Sequence, residues 1–218
     1  MAPESCWKAT KVNNLSFPEW LDKTTLPFSD WLCRNITEER KTKNIHWNGR
    51  TVTLEEKRDG FHMSVRIDNV DQGLVVINFE QMGRATTYLR GNKGFGDRCD
   101  FLVLEETDDE YIAYLIELEN TVPERHPTSQ LRWSAPYLKY NLEVFLEHSS
   151  IVSSEKELNM KFFMIGNRYP NWLNRSGMRR KPIQKFERLD VSSRLDMYCS
   201  IYAAYGFDFS DFREVNAP

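Results

Sequence analysis

The nine residues from Tyr111 to Glu119, YIAYLIELE, constrain this chain more than any other stretch. They are β-branched and aromatic enough for a central strand, and they end in two acids set two apart. Residues two apart on a strand share a face, so Glu117 and Glu119 point the same way as Tyr111, Ala113 and Leu115. Upstream, Cys99 to Leu104 reads as a second strand with Asp100 at its start, and Thr107 to Glu110 makes a polar turn between the two. A hairpin through that turn sets Asp100 opposite about residue 116, within diagonal-neighbour reach of Glu117. Three carboxylates then crowd one end of an apolar ribbon. Such groups repel one another and are costly to desolvate, so a cation must offset them. Mg2+ is the natural choice, because it takes a few carboxylate oxygens and keeps several waters; an arginine or lysine from elsewhere is the alternative. An acidic strand face can also simply meet water, but the apolar residues on the face of Glu117 speak for the edge of a cleft.

Around that ribbon the chain reads as an ordinary globular protein. Its 218 residues suit one domain of generous size, and 40% hydrophobic residues with 13 Phe and 6 Trp can bury a core without staples. The N-terminal MAPESCWKATKVNN has no apolar run of signal-peptide type, and no window approaches a membrane span. Cys6, Cys33, Cys99 and Cys199 form no CxxC pair, so neither a thiolate metal site nor a disulfide framework is expected. The expected compartment is the cytoplasm, with reduced thiols. His46, His62, His126 and His148 show no zinc spacing, and no nucleophile elbow or P-loop is present.

Ser16-Phe17-Pro18-Glu19 has capping-box spacing for a short helix, and Ser29 can cap a second one through Trp31, Leu32 and Ile36 to about Lys41. From Ile45 the period becomes two. Asn48-Gly49 is a hairpin signal, Met63, Val65 and Ile67 alternate with polar residues, and Leu74 to Ile77 reads as a buried strand after a turn at Asp71-Gln72-Gly73. Residues 83 to 89 add a short strand, followed by a glycine-rich loop from Arg90 to Gly96. Leu131, Ala135, Leu138, Leu142 and Phe145 form a helical stripe. Pro136 within it means that the helix either kinks there or starts near Ser134. Leu195, Met197, Tyr198, Ile201, Tyr202 and Tyr205 fall at helical spacing, predicting a segment that covers the core or forms a dimer contact.

The order Gly96-Asp97-Arg98-Cys99-Asp100-Phe101, then Ile116-Glu117-Leu118-Glu119-Asn120, then Gln130-Leu131 at the head of a helix resembles the PD-(D/E)xK nuclease superfamily. The resemblance covers about a third of the chain, residues 91–166, where Lys161 to Gly166 supplies the strand expected after the helix. It implies an α/β or α+β fold with a restriction-endonuclease-like core, a mixed central β-sheet flanked by helices. Residues 1–44 are then an N-terminal helical segment and 45–218 the nuclease-like domain, the whole forming one compact unit.

By the same resemblance Asp100 and Glu117 are metal-binding acids, the backbone carbonyl of Leu118 is a further ligand, and Gln130 orients a phosphate or water; Gln130 read by itself is equally a polar residue of a helix N-terminus. Glu119 stands where the superfamily has its lysine. Active restriction enzymes with an acid there use it for metal or water activation, whereas members that have lost cleavage also lack the lysine. Lys139 on the helix is a replacement cation or a solvated side chain. Glu80 is an outer ligand or, more commonly for such a residue, a surface acid.

The net charge of −3 conceals a basic segment. Residues 161–188 hold Lys161, Arg168, Arg175, Arg179, Arg180, Lys181, Lys185 and Arg188 against Glu187, a net of +7 that leaves −10 on the rest of the chain. It is a face for a polyanion or a solvated loop whose charges balance acidic neighbours. On the nuclease reading, Arg168, Arg175, Arg179, Arg180 and Lys181 grip phosphates, and Tyr169 and Trp172 stack on bases.

The resulting expectation is a Mg2+- or Mn2+-dependent endonuclease hydrolysing phosphodiester bonds of nucleic acid, DNA before RNA, with Asp100, Glu117, Glu119 and Gln130 as catalytic residues. It would work as a homodimer or in a larger complex. Two alternatives stand beside it. One is a cleavage-dead nuclease-like subunit that binds nucleic acid or protein; the other is a binding module whose acids are salt-bridged to Arg66, Arg84 or Arg98.

Overall fold

Two mixed sheets pack face to face in the computed structural model, which describes residues 27–34, 38–82, 98–121, 129–148, 156–168, 186–189, 197–201 and 206–215. Helix α1 (Phe28–Arg34) and the single turn α2 (Glu38–Lys41) lead into β1 (Ile45–Asn48), β2 (Thr51–Arg58) and β3 (Phe61–Asp68). The chain reverses after Asn48, where Gly49 has φ +63°, and again at Asp59-Gly60, where Gly60 has φ +73°. Both turns use the left-handed region that glycine enters without a Cβ penalty. Next come β4 (Val75–Asn78), β5 (Phe101–Glu106) and the long β6 (Glu110–Thr121). Helix α3 (Ser129–His148) then returns the chain to β7 (Glu157–Arg168). The short elements β8 (Glu187–Leu189), β9 (Met197–Ile201), β10 (Phe207–Asp208) and α4 (Phe209–Arg213) follow.

The larger sheet has the order β4-β5-β6-β7-β9-β8. Its first three strands are antiparallel, β6, β7 and β9 are parallel, and β8 is antiparallel. The smaller sheet has the order β1-β2-β3-β10, antiparallel except for the β3–β10 pair. This is a mixed α+β architecture.

Strand alternation divides the interior in two. Leu102, Leu104, Ala113 and Leu115 face α1 and α3, meeting Phe28 and Leu32 from the first helix and Leu131, Leu138 and Phe145 from the second. Phe101, Val103, Tyr114 and Ile116 face the smaller sheet and α4, meeting Val52, Leu54, Val65, Ile67, Phe209 and Phe212. The larger sheet is thus covered on both faces, and β6 at its middle is buried from Ala113 to Leu118. The predicted stripe of α3 is its buried face: Leu131, Ala135, Leu138, Leu142 and Phe145 are all buried.

Several expectations need correction. The first helix begins at Phe28, so Ser29 lies inside it rather than capping it. Helix α3 runs through Pro136 and does not wait for Ser134. Pro136 is exposed, and Ser134, wholly buried, donates through Oγ to the Gln130 carbonyl at 2.7 Å. The apolar residues expected to form a C-terminal helix divide differently: Met197–Ile201 is a strand beside β7. A short apolar run fits either period, and here pairing with a buried parallel neighbour decides it. Lys161 belongs to the core and not to a basic face, since its ammonium lies 3.1 Å from the Arg213 carbonyl and over the Tyr114 ring. The helix at Ser16, the strand at 83–89 and the glycine-rich loop lie outside the described residues. No described helix is long and apolar enough to cross a membrane.

Candidate functional site

Topology collects acids at one end of the larger sheet. The start of β5 lies beside the ends of its antiparallel neighbours β4 and β6. Phe101 pairs with Ile116, so Asp100, one step out, comes level with Glu117 rather than residue 116. The Asp100 carboxylate accepts the Leu118 N–H through Oδ2 at 2.7 Å, locking it across the strand. On the other side, the Asp100 carbonyl accepts the Phe79 N–H at 2.8 Å and prolongs the β4–β5 ladder. The next residue is Glu80. The turn carrying it is fixed by Asn78, which donates to the Lys43 carbonyl at 2.9 Å and accepts the Gln81 N–H at 3.1 Å.

A further acid arrives from the smaller sheet. Val52, Leu54 and Glu56 alternate on the inward side of β2, the first two wholly buried and Glu56 partly so. One carboxylate oxygen from each of Glu56, Glu80 and Asp100 can be chosen so that all lie within 4.8 Å of one another. Arg58, two residues along β2, places its guanidinium 3.3 Å from the Leu118 carbonyl and 3.4 Å from Glu119 Oε2. Its Nε is 3.6 Å from Glu56 Oε1.

Burial sets the electrostatics. Glu117 is wholly buried and Asp100 nearly so. Among the described residues, neither carboxylate oxygen of Glu117 meets a hydrogen-bond donor. Burial pushes the Glu117 carboxyl well above the usual carboxylate range, reinforced by the charges of Asp100 and Glu119. Burial does the same for Asp100, with Glu56 adding to it and the Leu118 N–H opposing it. Glu56 is raised by burial and by Glu80. Glu119 is raised by burial, while Arg58 works against the shift.

The structure therefore brings Asp100, Glu117 and Glu119 to one place, each in a different state. Asp100 is anchored, Glu117 has no donor among the described residues, and Glu119 is paired. Leu118 contributes its backbone to both neighbours, its N–H to Asp100 and its carbonyl to Arg58. Gln130 is the second residue of α3, partly buried, with its carbonyl taken by Ser134. Lys139 is exposed on the same helix. Arg66 pairs with Asp68 at 2.7 Å, away from these acids, and the Arg98 guanidinium lies over the Tyr137 ring at 4.3 Å. Arg84 is outside the described residues. Arg168 ends β7, its backbone paired with Thr121. Tyr169, Trp172, Arg175, Arg179, Arg180 and Lys181 all lie outside the described residues.

Sequence reasoning overlooked Glu56 and Arg58. The available signal was the period-two row Val52, Leu54, Glu56, Arg58, in which two charged residues continue an apolar face, as Glu117 and Glu119 do on β6. Compared with protein-family models, curated proteins and solved structures, the chain matches none of them.

Proposed function

We propose that this protein is a metal-dependent phosphodiesterase acting on nucleic acid, with its divalent-cation centre at Asp100 and Glu117. The observation that carries this reading is the Glu117 carboxylate, wholly buried beside Asp100 with no donor on either oxygen among the described residues. A native interior rarely leaves a buried polar group unsatisfied, and an unpaired buried carboxylate is costlier still. An all-oxygen donor set of this kind suits a hard cation, Mg2+ or Mn2+. When bound, such an ion lowers the pKa of a coordinated water and offsets the negative charge that builds on a phosphorane.

The protein's own groups have separable tasks. Asp100, held by the Leu118 N–H, presents its remaining oxygen in a fixed direction. Glu117 supplies an anion from a rigid central strand. Glu119, near the surface and half-covered by Arg58, is placed to accept a proton from a water. Arg58 brings a positive charge where the resembling superfamily has its lysine, but from another sheet. The fold order is consistent with the same reading: a strand with an acid at its start, a second ending in Glu-x-Glu, a helix packed across them and then a further strand, the order that the resemblance implies.

A second reading, a nuclease-like domain that binds without cutting, is favoured by one contact. Arg58 occupies the Leu118 carbonyl and Glu119, two groups that the resemblance assigns to the metal.

The test is incubation of the purified protein with linear, circular and single-stranded DNA and with RNA, in Mg2+ or Mn2+ and in chelator, beside Asp100→Asn. Metal-dependent cleavage lost in the variant is the expected result. Binding without cleavage selects the second reading. Absence of both cleavage and metal binding overturns the proposal.

A further inference from the structure

We propose that helix α3 presents a stacking row for unpaired bases, made by Trp133, Tyr137 and Tyr140, so that the substrate reaches Asp100 and Glu117 as a single strand. That the occupant is nucleic acid rests on the proposed function. The row adds the form of that substrate and residues that the resemblance did not assign.

The helix meets the sheet through one face, where Leu131, Ala135, Leu138, Leu142 and Phe145 are buried. Steps of four and three residues align Trp133, Tyr137 and Tyr140 on a different flank. Trp133 and Tyr137 are partly buried, and Tyr140 is 58% exposed. One exposed tyrosine is ordinary on a protein surface. A row of three rings leading to buried acids is not.

The inner part of the row is docked at the candidate site. Asp100 and Glu117 continue the alternation of Leu102, Ala113 and Leu115, the face of the sheet that α3 covers. Ser134 holds the helix there by accepting the Cys99 N–H at 2.8 Å. The Tyr137 ring packs 5.7 Å from that of Phe79, centroid to centroid, and the Phe79 N–H donates to the Asp100 carbonyl. On the Tyr137 ring lies the Arg98 guanidinium, 4.3 Å from the centroid and two residues before Asp100.

Charge selects the occupant. From Ser129 to Leu142 the helix carries Arg132 and Lys139, both exposed, and no acid. Interfaces between protein copies also favour aromatic rings, but here the cations lie beside the row while the helix's acids, Glu143 and Glu147, are kept to its far end. Rings for stacking with cations alongside for the backbone are what a single strand needs. A duplex does not suit, because its base faces are already covered by one another. Trp133 and Tyr140 are set about 10 Å apart along the axis, at 1.5 Å per residue, so both can stack only on bases that are unpaired.

Fluorescence anisotropy of the full chain with labelled oligonucleotides, in chelator so that nothing is cut, tests this. Single-stranded DNA or RNA is expected to bind more tightly than blunt duplex of the same length, and the tighter of the two single strands names the sugar. Trp133→Ala and Tyr140→Ala should each weaken single-strand binding about fivefold to a hundredfold, whereas Tyr140→Phe, which keeps the ring, should bind as wild type does. Because Tyr140 is exposed, its variants decide the matter even if Trp133→Ala fails to fold. Arg132→Gln with Lys139→Gln should flatten the salt dependence and leave the preference for single strands. Equal affinity for duplex, or single-strand binding unchanged in Tyr140→Ala, overturns the stacking row. Self-association in sedimentation that Tyr140→Ala abolishes, with strand binding intact, overturns it too and gives the rings to a second copy. Ring-dependent strand binding without Mn2+-dependent cleavage keeps the row and removes the phosphodiesterase reading; cleavage of duplex and single strands alike, indifferent to the rings, does the reverse.

Discussion

Asp100 holds the Leu118 N–H at 2.7 Å, and this one contact across β5 and β6 decides how the site can work. It fixes one carboxylate, while the residue opposite, Glu117, has no hydrogen-bond donor among the described residues. The strand is built for pairing, since β6 is bonded on both sides along most of its length. The main-chain groups of β6 are largely taken up, so a partner for Glu117 must come from beyond the strand, as a side chain, another backbone N–H, a water or an ion. Burial beside like charges thus disfavours the ionised forms of both acids, and on the proposed reading a bound cation would relieve that penalty.

Glu117→Gln should consequently stabilise the metal-free protein. The amide keeps the shape of the carboxyl, cannot ionise and can donate to Asp100. Relief of an unsatisfied buried group is worth about 1–3 kcal/mol, several degrees of melting temperature for a domain of this size. The same variant should lose most of the Mg2+-induced rise in melting temperature seen in wild type. Thermal unfolding in chelator and in Mg2+ checks both. A variant less stable than wild type in chelator would mean that Glu117 has a partner after all.

Much of this was legible in the order of residues. The alternation of Met63, Val65 and Ile67, the α3 stripe and the Asp100–Glu117 adjacency all follow from period and hairpin geometry, which act over a few residues. Only the register was one residue out, because strand β5 begins at Phe101 and pairs it with Ile116. Glu56 escaped notice for a different reason. Locally, Glu55-Glu56-Lys57-Arg58 reads as a solvated charged run, and nothing nearby says that β2 will lie against the far face of β6. Glu80 read as a surface acid, and it is exposed; what singles it out is the Asp100 carbonyl that draws its turn inward. The period-two row Val52, Leu54, Glu56, Arg58 marks an inward face, but it does not say which strand of the other sheet that face will meet. The misjudged C-terminal strand has the same origin, since β9 owes its state to β7.

The pH dependence of stability should run against the usual carboxylate direction at this site. Asp100 and Glu117 have folded-state pKa values raised above their unfolded ones. The folded state therefore keeps their protons to higher pH, and their stabilising contribution is complete below the unfolded range, around 4. It is lost as pH rises through the raised folded values. Glu55, Asp68 and Asp208, all lowered, contribute in the opposite sense as pH falls. The measurable quantity is thus a difference: in chelator, wild type should lose stability relative to the Asp100→Asn, Glu117→Gln double variant as pH rises from about 4 to 8. Added Mg2+ should reverse the trend, because the ion binds the ionised pair. Parallel curves in chelator would contradict the burial argument.

Ser134 links the helix to the site. Its hydroxyl accepts the Cys99 N–H at 2.8 Å, beside Asp100, and donates to the Gln130 carbonyl at 2.7 Å. Ser134→Ala should cost about 1–3 kcal/mol by stranding a buried N–H, and should loosen the start of β5. Urea unfolding gives the stability, and weaker Mn2+ binding would report the loosened Asp100. Full stability in the variant would show that the bond contributes nothing net.

Arg58 offers the sharpest division between an active and a blocked centre. Its guanidinium sits on Leu118 O and Glu119, so it repels a dication and competes for the same oxygens. A unit charge about 4 Å away is worth about 4 kcal/mol at an effective dielectric of 20, and its half-exposed position reduces this to about 1 kcal/mol. Arg58→Gln should then tighten Mn2+ binding about fivefold. If Arg58 also steadies the phosphate, the same change should lower the cleavage rate, so that affinity for the metal and activity move in opposite directions. If instead Arg58 merely blocks the centre, both should rise together. Weaker Mn2+ binding in Arg58→Gln would exclude competition altogether and assign the residue to holding the carboxylates in place.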